Sequence, residues 1–123
     1  MSLRIATLLA GFFLVAAALP AAAANLPDGT YTCKTSFGTS MTTPGYVEIR
    51  GGTFRFHESG KPDDRPWMPY TMEGGAIVWH GPLGFMTSPG FSIGPTRLQA
   101  GSADDFYFDL TAGSHVTPVS CGR

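Results

Sequence analysis

The chain has 123 residues, 8 basic and 9 acidic side chains, and a formal net charge of −1. That length leaves no room for a second core. The near-neutral balance without any polybasic run argues against nucleic acid and anionic membrane surfaces as main partners.

Residues 1–24 read as a secretory signal peptide. Arg4 stands in a short leading region, an apolar stretch of 15 residues runs from Ile5 to Leu19, and Pro20 precedes alanines ending at Ala24, which places cleavage before Asn25. A bilayer span needs about 20 apolar residues with anchoring flanks. The expected product is residues 25–123, one β domain, secreted or periplasmic, with no stable membrane insertion after cleavage. Setting Arg4 aside leaves 7 basic against 9 acidic groups.

That part of the chain carries 15 Gly and 9 Pro, but also 13 aromatic residues in alternating runs between them, the pattern of short strands with punctuation rather than of disorder. No ten-residue window free of Gly and Pro has apolar side chains at helical spacing, which excludes a long helix. Cys33 and Cys121, the only cysteines, are expected to pair in an oxidising compartment, bringing the two ends of the domain together.

In chain order, Gly29 to Ser36 alternates as a strand after a Pro-Asp-Gly turn, and Phe37 to Pro44 is expected to be a loop. Tyr46 to His57 is two alternating runs joined by Gly51-Gly52. A tight hairpin there places Ile49 opposite Phe54, Val47 opposite Phe56, Glu48 opposite Arg55 and Tyr46 opposite His57. A slip of one residue would bury Glu48 and Arg55, so the pattern specifies its own register. Gly74-Gly75 repeats the device, setting Met72 against Ile77 and Tyr70 against Trp79.

Glu58 to Pro69, with three prolines and four charges between Lys61 and Pro69, is expected to be a surface loop. Gly81 to Pro95 reads as an irregular crossover with a short edge strand, anchored by Leu83, Phe85, Phe91 and Ile93. Strands are expected at Thr96 to Gln99, at Asp105 to Leu110 with Phe106, Phe108 and Leu110 inward, and at Val116 to Cys121, where Pro118 suits an edge. About seven or eight short strands with a cysteine bond between first and last predict an all-β fold, a small antiparallel barrel or barrel-like roll, with a β-sandwich as the alternative.

The sequence holds no nucleophile motif, no phosphate loop and no HExxH spacing, so the expected role is non-enzymatic and cofactor-free: binding of a protein or a small apolar ligand through loops or the barrel end. Arg65, Trp67 and Tyr70 are the candidate binding residues, because rigid aromatics and arginine on a proline-stiffened loop lose little entropy on association. His57 and His80, at matching ends of the two hairpins, are further candidates. Phe85, Met86 and Phe91 are candidates to line a pocket at a barrel mouth, or to close the core. Two alternatives stand beside this reading: an inhibitor of a secreted or periplasmic protease, and a metal-binding protein or metal-dependent enzyme using His57 and His80 with His115 or an Asp. Asp63-Asp64 and Asp104-Asp105 read as turn residues rather than calcium ligands.

Overall fold

The computed structural model describes residues 25–37, 40–61 and 65–123. The expected signal peptide lies outside the described residues, as do Pro62, Asp63 and Asp64 of the expected loop. The strands are β1 (Gly29–Phe37), β2 (Ser40–Arg50), β3 (Thr53–Glu58), β4 (Met68–Glu73), β5 (Ala76–Trp79), β6 (Phe91–Ile93), β7 (Thr96–Leu98), β8 (Phe106–Ala112) and β9 (His115–Gly122), with a single 3-10 turn at Gly84–Thr87.

Eight of these strands close into an up-and-down antiparallel barrel in the order β1-β2-β3-β4-β5-β7-β8-β9, and β9 returns to pair with β1. The short β6 is the extra strand. It lies along the same edge of β8 as β7 but further toward the β8 end, the two separated by Gly94-Pro95, where proline has no amide to give the ladder. The barrel, not the sandwich, is therefore the architecture. Closure gives each of the eight wall strands a partner on both sides for part of its length, which shortens the edges that an alternating, half-apolar sequence would otherwise expose.

The hairpin registers follow from the glycine pairs. Gly51 and Gly52 have φ of 56° and 81°, and Gly74 and Gly75 have 58° and 84°, the positive values that both central residues of a type I′ turn require. With two-residue turns in place, Val47 pairs with Phe56, Glu48 with Arg55 and Tyr70 with Trp79, and the apolar set of each hairpin points inward.

The expected loop at Phe37 to Pro44 is a correction. Apart from residues 38 and 39, which are not described, this stretch is strand: Thr35 pairs with Thr42 and Phe37 with Ser40. The register shifts between Cys33 and Thr35, so β2 carries an extra residue there. Pro44 sits in that bulge, one of the few ladder positions where a missing amide costs nothing. Proline read as a strand breaker in the sequence is here a bulge former. Pro118 behaves as expected of an edge residue: β1 pairs β9 only from Val119 to Gly122, and the Pro118 carbonyl just beyond accepts from Thr35 Oγ1 at 2.8 Å.

The lower and middle lumen is filled. Tyr31, Phe54, Phe56, Phe106 and Phe108 are all buried there, with Leu83 and Met86 beneath the 3-10 turn. Trp79 touches Phe54, Phe106 and Tyr70 at ring centroid distances of 4.8, 5.5 and 5.7 Å, and its indole N–H donates to Thr96 Oγ1 at 2.9 Å. Each such buried ring contributes about 1.5–3 kcal/mol. The end of the barrel where β1 begins and β9 ends is closed by Leu26, only 2% exposed, whose amide donates to the Tyr70 hydroxyl at 2.8 Å, while the Tyr31 hydroxyl donates to the Pro27 carbonyl at 2.6 Å. Burial pushes the Tyr31 phenol up to about 12 and raises that of Tyr70 as well. Cys33 and Cys121 are bonded. Among the described residues no helix is long and apolar enough to cross a membrane.

Candidate functional site

Inward positions alternate along each strand, so successive inward residues occupy successive levels of the lumen. Toward the end of the barrel opposite Leu26 these side chains shrink or turn polar. On β8, Phe106 and Phe108 give way to Leu110 and then Ala112; on β9, Cys121 and Val119 give way to Thr117 and His115; on β1, Tyr31 and Cys33 give way to Thr35. The lumen therefore opens at this end into a cleft of about 480 Å³ lined by Thr35, Thr42, Thr43, Pro44, Phe85, Phe91, Leu110, Ala112, His115 and Thr117.

The order of strands divides the lining into two arcs. Leu110 and Ala112 on β8, Phe91 on the adjoining β6 and Phe85 on the 3-10 turn form the apolar arc, with the two phenyl rings edge to face at 5.4 Å and 85°. The polar arc continues through His115 and Thr117 on β9, Thr35 on β1 and Thr42 to Pro44 on β2. No Asp, Glu, Lys or Arg is among these lining residues. Thr35 Oγ1 is bonded to the Pro118 carbonyl, and Thr42 Oγ1 reaches the Thr35 carbonyl at 3.5 Å. Such a site has the size and polarity of a small-molecule pocket and holds no acid-base or nucleophilic pair.

Two other depressions are comparably large. One, about 580 Å³, lies over Thr32, Lys34, Gln99, Asp105 and Arg123; the other, about 500 Å³, lies between β5 and Gly94-Pro95. The first runs along the outer wall, and the second also touches the buried Ile77 and Thr96. The mouth cleft differs in lying at the end of the barrel, where it continues the lumen.

The residues singled out from the sequence lie elsewhere. Trp67 lies over the outer face of the β2–β3 hairpin, with the Arg55 and Arg50 guanidinium carbons 4.4 and 5.0 Å from its ring centre. Arg65 Nη2 is 3.1 Å from Glu58 Oε2. Tyr70 points into the barrel at 4% exposure and offers no surface to a partner. His57 Nε2 lies 2.7 Å from Glu48 Oε1, which also accepts from Arg55 Nε at 2.7 Å; these contacts, His57 first, hold the Glu48 carboxyl below its usual range. His80 Nε2 is 3.2 Å from Thr71 Oγ1. The structure thus gathers Arg65, Trp67 and His57 around one hairpin and leaves Tyr70 and His80 apart from them. Among the described residues no three His, Cys, Asp or Glu side chains group as metal ligands.

Of the pocket candidates, Phe85 and Phe91 line the cleft, whereas Met86 is fully buried in the core. Thr43, His115 and Thr117 were not singled out as pocket residues. The signal that points to them is the decline in side-chain size along the inward positions of three strands, which becomes meaningful once those strands are known to be neighbours.

Fold and site together define an eight-stranded up-and-down barrel with a packed base and a mouth that is apolar along one arc and polar but uncharged along the other. Comparison with protein-family models, curated proteins and solved structures finds no match for this chain.

Proposed function

We propose that this protein binds a small, mainly apolar molecule in the cleft at the barrel mouth, as an exported, oxidised binding protein without catalytic chemistry. One observation carries the reading: inward positions at one end of an otherwise filled barrel leave about 480 Å³ facing the Phe85–Phe91 pair. Small-molecule sites span roughly 300–1,000 Å³, and eight-stranded barrels are just wide enough to hold one small ligand. The paired cysteines fit an exported chain, because disulfides persist in oxidising compartments.

The test is saturable uptake of an apolar fluorophore, N-phenyl-1-naphthylamine. We expect one site per chain, an affinity at least about tenfold weaker in Phe85→Ala, and loss of uptake in Ala112→Trp, whose indole fills the cleft. Trp67→Ala serves as the control. Uptake unchanged in Ala112→Trp in a folded protein overturns the proposal.

A further inference from the structure

The two arcs of the cleft differ in more than polarity. Thr35 and Thr42 are committed to backbone carbonyls, but the Thr43 and Thr117 hydroxyls and the His115 imidazole make no hydrogen bond to any other described residue. Thr43 and Thr117 are half-buried, on β2 and β9, which flank β1. These two hydroxyls, partly withdrawn from bulk water, favour a ligand that supplies their partners, whereas the exposed His115 imidazole meets solvent. Thr117 and His115 are the cross-strand neighbours of Leu110 and Ala112, beyond which the rings of Phe91 and Phe85 complete a hydrocarbon wall. No charged side chain lines the site, so an ionised ligand group would be desolvated without compensation.

From this we infer that the cleft takes a neutral aromatic or alicyclic molecule bearing hydroxyl or carbonyl groups along one edge, the ring against Phe85 and Phe91 and the polar edge toward Thr43 and Thr117. The inference rests on the binding role proposed above and gives it a ligand class. Size agrees: a cavity of about 150 Å³ accepts a benzene ring, so this cleft accommodates a compound of two or three fused rings.

The experiment compares naphthalene with 2-naphthol, which differ by one hydroxyl, by NMR titration of the folded protein. 2-Naphthol is expected to bind about two- to tenfold more tightly, with intermolecular contacts from its unsubstituted ring to Phe85 and Phe91. In the Thr43→Val/Thr117→Val double variant, isosteric at both positions and removing no hydrogen bond seen within the described residues, naphthalene affinity should hold and the preference should collapse toward unity. Equal affinities in the unaltered protein, or a preference that survives the double variant, overturn the assignment while leaving apolar binding intact. Absence of binding by either compound overturns both.

Discussion

Cys33 and Cys121 are direct Cα partners, 4.0 Å apart, at the seam where β1 pairs β9. The sulfur bridge therefore ties the first barrel strand to the last across a sequence separation of 88 residues. Removing it frees a long loop in the unfolded chain, so Cys33→Ala/Cys121→Ala should lose about 2–5 kcal/mol in denaturant unfolding. A midpoint unchanged from that of the oxidised protein would show that backbone pairing alone holds the seam.

The Tyr70 hydroxyl is the acceptor for the buried Leu26 amide. Tyr70→Phe keeps the ring and leaves that donor without its partner, at a cost of about 1–3 kcal/mol. Hydrogen exchange at the Leu26 amide should accelerate far more than exchange in the β2–β3 hairpin, because the loss is local to the plug.

Trp67 lies across Arg50 and Arg55 on the outer wall, remote from the mouth. Trp67→Ala should cost only about 1–2 kcal/mol, the scale of two exposed cation–π contacts, and leave fluorophore affinity within about twofold. A tenfold fall in affinity would return Trp67 to the binding surface.

Glu48 is held below its ordinary carboxyl range by His57 and Arg55. Because the folded state binds its proton less readily than the unfolded state, this contribution is present in full above the ordinary value of 4.5 and is lost as pH falls through the lower folded value. Stability should therefore decline below about pH 4.5, and Glu48→Gln, already neutral, should flatten that limb relative to the unaltered protein. Parallel acid limbs would remove Glu48 from the account.

Gly45 stands beside the β2 bulge, where a Cβ would meet the His57 carbonyl and the Phe56 ring. Neither neighbour is a flexible side-chain tip, so Gly45→Ala should cost about 1–3 kcal/mol through overpacking. Thermal unfolding that coincides with that of the unaltered protein would show that the bulge relaxes freely.

Much of the architecture was readable in the chain because it is written in local rules. Paired glycines set two registers, alternation chose the faces of β2, β3 and β8, and the only two cysteines named the seam. The missed strand at Ser40 to Pro44 shows the limit. Pro44 breaks a ladder by its own chemistry, and only the extra residue opposite Lys34 turns it into a bulge. For the same reason Tyr70, an interface residue by type, lies inside: its hairpin partner Trp79 and the remote Leu26 amide claim it.

The sequence by itself determined that the chain makes short strands, how its hairpins pair and which cysteines meet, since each depends on residues close in the chain or on an unambiguous pair. Tertiary structure alone decided between the expected barrel and the alternative sandwich, and that Thr43, Phe85, Phe91, His115 and Thr117 share one cavity. Those residues come from four separate stretches of chain, and a cavity is a property of the space between strands that no strand carries alone.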